Sequence, residues 1–182
     1  PMGDLKCFPL VFLRHPVIRA RSAYLFEWQK ELGLDKPKGT FSDYIKENMP
    51  QKGSSVISNF QVSKLSNVVY EKKPESKPLR DFEQLERAKL FLDSIPYFGI
   101  VEHFQQSLVR LHYYLISSFP SINVVNRAAN VTQDPTVGME KKLEEIRSEL
   151  GEEIYQDLCD RNELDLKLYQ HAANKFFSVV SK

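Results

Sequence analysis

Glycine, cysteine, net charge and long apolar runs are all in short supply in this chain. The 182 residues hold seven glycines, at 3, 33, 39, 53, 99, 138 and 151. They are not clustered, and none precedes Lys-Thr or Lys-Ser at the start of a helix, so the sequence contains no phosphate-cradling loop of the P-loop kind. The only cysteines are Cys7 and Cys159. Two distant thiols exclude a disulfide scaffold and leave no Cys-x-x-Cys metal spacing; both are expected to be reduced and inert. Lys and Arg number 25 against 24 Asp and Glu, a formal net charge of +1. No global field recruits nucleic acid or anionic lipid, and any preference for an anion must be local. No apolar stretch approaches the ~20 residues that span a bilayer as a helix. The opening "PMGDLKCFPL" lacks the basic start and cleavage site of a signal peptide.

What remains is an ordinary globular composition, 42% hydrophobic and 27% charged, sized for one domain over residues 1–182. "KCFPLVFLRHP" has the pattern of a short buried strand, with Leu10 to Leu13 continuously apolar as in a strand covered on both faces. Pro16 suits the first turn of a following helix, which runs to a glycine cap at Gly33. Ile18, Leu25, Trp28 and Leu32 recur at roughly helical spacing there. Thr40 and Asp43 have capping-box spacing at the next helix.

"VISNFQVSKLSNVV" predicts a short helix, and "YEKKPESKPLR" an exposed loop. "DFEQLERAKLFLDSI" is amphipathic, with Phe82, Leu85, Ala88, Leu92 and Ile95 on one side. "YFGIVEHF" predicts a second strand, "QQSLVRLHYYLISSF" a helix, and "SINVVNRAANVTQD" another short strand leading into a loop. The remainder is helical, broken at Gly151 and again at Asn162. Strand-then-helix units make the fold class α/β, helix-rich, with a small parallel sheet.

The chemistry concentrates in "FLRHPVIRARSAYLFEW". Ligands of α/β folds bind beyond the carboxyl ends of strands, where a helix N-terminus offers free N–H groups and a positive dipole end. Arg14 stands at that place, and Arg19 and Ser22 are three residues apart on one helix face. A guanidinium, a hydroxyl and backbone amides together suit one phosphate group. The competing reading is an arginine-rich exposed face paired with Glu27 or Glu31, with Tyr24 and Trp28 in the core.

Arg14, Pro16, Arg19, Ser22 and Tyr24 fall in register with Arg-Asp-Pro-x-x-Arg-x-x-Ser-x-Tyr/Phe. This resembles the 3′-phosphate-binding signature of sulfotransferases that use 3′-phosphoadenosine 5′-phosphosulfate (PAPS). His15 stands where the signature has aspartate. Three further segments are similar, in order, to the carbohydrate (heparan and dermatan type) group of that family. They are "SNFQVSKLS", "FGIVEHFQQSLVRL", and "INVVNR" followed by "NELDLKLYQHAANKF". The resemblance covers Phe8 to about Phe177.

The resemblance implies a P-loop-like sulfotransferase architecture. It implies sulfuryl transfer from PAPS to a hydroxyl of a carbohydrate-like acceptor, without a metal. Arg14 and Ser22 would bind the 3′-phosphate, Arg19 would join the nucleotide-binding set mainly by supporting the loop, and Arg127 would belong to a basic loop over the nucleotide. Glu102, Ser107, Asp165 and Tyr169 would be structural. The phosphosulfate loop and catalytic base of the family would lie upstream of residue 1. The chain thus corresponds to the C-terminal portion of such a domain, and no catalytic residue is assigned in it. His103 and His112 are weak candidates for a base. The alternative is a non-catalytic helical interaction module derived from such an enzyme. The nucleotide and the hydroxyl acceptor are the expected partners, with no nucleic acid and no membrane span. Few cysteines and no anchor favour bacterial cytoplasm over Golgi lumen.

Overall fold

A computed structural model describes residues 8–49, 56–66, 80–124 and 138–178. Strand β1 is Val11–Leu13 and helix α1 is Pro16–Leu25, with proline at the first helical turn as its fixed φ and missing N–H allow. The helix continues as a π-helical turn, Phe26–Lys30. Gly33 closes it at φ +65°. Its N–H reaches the Lys30 carbonyl at 3.0 Å, and the Leu34 N–H reaches Gln29 at 2.9 Å, the paired bonds of a Schellman motif. Helix α2, Phe41–Asn48, starts in the expected capping box: the Asp43 N–H donates to Thr40 Oγ1 at 3.1 Å, and the Thr40 N–H to Asp43 Oδ2 at 3.0 Å.

Helix α3 is Phe60–Leu65, shorter than the stretch that predicts it, and α4 is Asp81–Ser94. Strand β2, Phe98–Ile100, runs through a 3₁₀ turn, Val101–His103, into α5, Phe104–Ile116. Helices α6 (Met139–Leu150), α7 (Glu152–Arg161) and α8 (Glu163–Ser178) complete the described chain. Gly151, at φ +76°, and Asn162 separate them as expected.

The two strands are parallel, pairing Val11 with Phe98, Phe12 with Gly99 and Leu13 with Ile100. The fold is therefore helix-rich around a small parallel sheet. The alternation of β1 decides what covers each face. Leu13 joins Val62, Leu85, Ala88, Leu92, Leu164, Leu168 and Ala172 of α3, α4 and α8, with Val11 packed against them. Phe12 turns the other way, toward Tyr97 and Phe104. Gly99 is required at this contact: a Cβ there would lie 2.6 Å from a Phe12 ring carbon and 2.8 Å from the Tyr97 hydroxyl. A second core forms between α1, α2, α6 and α7 around Val17, Ile18, Tyr24, Trp28, Phe41, Tyr44, Ile146, Leu150 and Leu158. Tyr24 and Trp28 are thus core residues.

Three expectations change. Leu10 is 48% exposed, because it precedes the paired part of β1 and only residues 11–13 lie between helical layers. Phe82 is 69% exposed: α4 packs on α3 and α8 through Leu85, Ala88 and Leu92, and its first turn overhangs that contact. In the stretch expected as a third strand, Ile122–Val124 are coil, and Ile122 and Val124 pack against the Tyr97, Leu111 and Leu115 cluster, while residues 125–134 lie outside the described residues. Of the loop expected over residues 70–80, residues 70–79 lie outside the described residues, and Arg80 is the N-cap of α4.

Candidate functional site

Arg14 follows the last residue of β1, and its side chain lies back along α1. One terminal guanidinium nitrogen, Nη1, donates to Ser22 Oγ. Two of the residues singled out from sequence are therefore in direct contact. The Arg14 side chain keeps 23% of its surface open. Its buried Nε has no hydrogen-bond acceptor and faces Glu102 Oε1 at 3.9 Å. Burial lowers the guanidinium pKa and Glu102 opposes that shift. An arginine so placed remains a cation with donor capacity to spare.

The start of α1 is arranged differently from the sequence expectation. Its N-terminal end attracts an anion, but that anion belongs to the chain. Glu102 Oε1 accepts the His15 N–H at 3.0 Å, and its other oxygen accepts the Tyr169 hydroxyl at 3.1 Å. The Glu102 side chain is only 9% exposed. The dipole end is thus engaged, and the contact between the Arg14 guanidinium and Ser22 lies further along α1.

His15 sits between these groups. Its ring meets Tyr169 edge-on at 5.4 Å, and its Nδ1 is buried without a partner. Burial pushes its pKa down to about 4, so the imidazole is neutral near pH 7.

Arg19 does not join the Arg14–Ser22 pair. Its guanidinium stacks over the Phe60 ring at 4.4 Å and donates to the Val56 carbonyl. Burial lowers its pKa against the opposing pull of Asp165. Its role in these contacts is to tie α1 to the segment before α3. Arg21 pairs with Glu149 of α6, 128 residues away, rather than with Glu27 or Glu31; Glu27 takes the Tyr44 hydroxyl at 2.9 Å. Arg127 lies outside the described residues. His103 packs against Phe176 and Phe177, and His112 contacts the Tyr113 ring.

The structural expectations for Ser107 and Tyr169 hold in detail. Ser107 Oγ donates to the Ile100 carbonyl at 3.0 Å and accepts the Ile100 N–H at 2.9 Å, closing the end of β2. Tyr169 holds Glu102, and burial together with that carboxylate pushes its hydroxyl pKa upward. Gln61 is the site residue that reasoning from sequence missed. Its side-chain amide brackets the main chain of Arg14, accepting the N–H at 2.9 Å and donating to the C=O at 2.9 Å. No spacing rule places residue 61 beside residue 14; the one available signal was its place in "SNFQVSKLS".

Among the described residues no helix is long and apolar enough to cross a membrane. No family model and no solved structure matches the chain. The chain is similar, at 28% identity over 180 residues, to an uncharacterized protein of Archaeoglobus fulgidus, in an alignment spanning 94% of this chain and 68% of that one.

Proposed function

We propose that Arg14 and Ser22 form the binding site for the 3′-phosphate of an adenosine 3′,5′-bisphosphate nucleotide, and that the chain serves sulfuryl transfer from PAPS to a hydroxyl of a carbohydrate-like acceptor. The observation that carries this reading is the Arg14–Ser22 contact at the carboxyl end of a parallel strand, where the Arg14 side chain keeps 23% of its surface open. These residues fit one phosphate: a guanidinium offers a planar fork of donors, and the serine hydroxyl adds one more. The resemblance of "RHPVIRARSAY" to the sulfotransferase signature supplies the identity of the nucleotide. The P-loop-like architecture belongs to the same proposal.

In this reaction the acceptor oxygen forms a bond to sulfur as the sulfur–oxygen bond to the 5′-phosphate breaks, and the hydroxyl proton passes to a base. The 3′-phosphate does not react. Arg14 and Ser22 contribute by fixing the nucleotide so that its sulfuryl group is held in line with the acceptor.

The test is calorimetric titration with adenosine 3′,5′-bisphosphate against adenosine 5′-monophosphate. The expected result is micromolar affinity for the bisphosphate, at least tenfold weaker binding of the monophosphate, and loss of that preference in Arg14→Ala. Arg14→Lys should recover little, because an ammonium cannot reproduce the fork. Equal affinity for the two nucleotides, or an Arg14→Ala variant that binds as the wild type does, would refute the assignment.

A further inference from the structure

We propose that Gln61 is a positioning residue for the anion site, holding Arg14 by its main chain, and that a reciprocal pair of helix caps between α3 and α8 holds Gln61 in turn. This deepens the reading of Arg14 and Ser22 as a phosphate site and rests on it.

Arg14 lies one residue past the β1–β2 pairing, so the sheet leaves its N–H and C=O without a strand partner. The Gln61 amide does what a neighbouring strand would do, taking both groups at 2.9 Å. Only a side chain carrying a donor and an acceptor on one planar group can do this. Gln61 is 8% exposed, so neither bond can be replaced cheaply by water.

Gln61 is fixed from behind. Its own N–H donates to Asp165 Oδ2 at 2.9 Å, and the Val62 N–H donates to Asp165 Oδ1 at 2.7 Å. The α8 residue Asp165 therefore caps α3. The favour is returned: Asn59 Oδ1 accepts the N–H groups of Leu164 at 3.0 Å and Asp165 at 3.2 Å, at the first turn of α8. Asn162 completes the clasp, accepting the Asn59 N–H at 3.2 Å and donating to the Ile57 and Leu158 carbonyls at 2.7 and 2.8 Å. Asn162 and Asp165 are fully buried.

Asn59 adopts φ 42° and ψ 38°, the one left-handed non-glycine conformation among the described residues. Such conformations persist where the surroundings over-determine them, and they gather at sites that need fixed geometry. Here the clasp locks the entry to α3, α3 presents Gln61, and Gln61 sets the point from which the Arg14 guanidinium reaches Ser22.

The test uses the whole chain with Gln61→Leu and Gln61→Glu, read by amide hydrogen exchange at Arg14 and by titration with adenosine 3′,5′-bisphosphate. Gln61→Leu removes both bonds. The Arg14 amide should exchange at least tenfold faster and the nucleotide should bind about tenfold more weakly. In an Arg14→Ala background the same change should have no further effect on affinity. Gln61→Glu loses the donor while ionised and regains it when protonated. Burial raises the pKa of the introduced carboxyl, as it does that of the adjacent Asp165, while the Arg14 and Arg19 guanidinium groups pull the other way. Its affinity relative to wild type at the same pH should therefore recover as pH falls from 7.5 to 5.5, which a merely structural defect would not do. Unchanged Arg14 exchange, or weakened binding by Gln61→Leu that persists undiminished in the Arg14→Ala background, would overturn the positioning role. Failure of the wild type to bind the nucleotide would instead remove the phosphate reading, while the exchange measurement still decides whether Gln61 holds Arg14.

Discussion

Glu102 accepts the main-chain N–H of His15 at 3.0 Å, and this bond places a negative charge of the chain at the end of α1 that would otherwise draw an external one. The same carboxylate stands 3.9 Å from the Arg14 Nε. It therefore orders the arginine and, on the proposed function, would repel an incoming phosphate at once. Glu102→Gln keeps an acceptor for the His15 N–H and removes the charge. Adenosine 3′,5′-bisphosphate should then bind threefold to tenfold more tightly, the effect of about 1 kcal/mol of relieved like-charge repulsion. The gain should shrink in high salt. Calorimetry at two salt concentrations checks both statements; weaker binding would mean that ordering Arg14 is the larger contribution of Glu102.

Much of this region was legible because it is local. Pro16 at the start of α1, Gly33 at its end and the Thr40–Asp43 box all act over a few residues, and all appear where sequence spacing puts them. The Arg14–Ser22 contact is also local, spanning eight positions along one strand–helix junction. The partners that fix the site are not local. Gln61 comes from 47 positions away and Glu102 from 87, through a fold that no periodicity specifies. Arg19 shows the converse error: helical spacing correctly sets it on the face of Ser22, yet a long side chain can turn, and the Phe60 ring and Val56 carbonyl hold it elsewhere.

His15 makes stability depend on pH. Burial holds its pKa near 4, below the 6.5 of a free imidazole. The unfolded chain therefore binds this proton first as pH falls. Stability is unaffected above about 6.5, declines between 6.5 and 4, and the full penalty is of order 3 kcal/mol. His15→Asn cannot titrate. Its urea midpoint should fall less than that of the wild type between pH 7 and pH 4. Parallel curves for the two proteins would show that the imidazole is not desolvated.

The left-handed conformation of Asn59 separates strain from capping. Asn59→Ala loses the bonds to Leu164 and Asp165 and keeps a Cβ at φ 42°. Asn59→Gly loses the same bonds but tolerates that conformation. Both should lower stability by about 1–2 kcal/mol through the lost caps. The alanine variant should be the worse by roughly 1 kcal/mol. Denaturant unfolding of the two variants makes the comparison; equal losses would mean that the backbone relaxes out of the left-handed region once the caps are gone.

Gly99 has no room for a side chain. A methyl group there meets the Phe12 ring at 2.6 Å and the Tyr97 hydroxyl at 2.8 Å. That hydroxyl cannot simply swing aside, because it donates to the Ser107 carbonyl at 2.8 Å. Nor is the Phe12 ring free, being packed on Tyr97 and Phe104. Gly99→Ala should therefore cost about 1–3 kcal/mol, the usual penalty for overpacking a filled core. Phe12→Leu alone should also destabilise, by about 1 kcal/mol, through lost contact area. Combined, the two should cost less than their sum, because the smaller side chain vacates the space the new methyl group needs. Thermal melts of the two single variants and the double variant measure this coupling. Strict additivity would mean that the Tyr97 hydroxyl, not the Phe12 ring, sets the limit at β2.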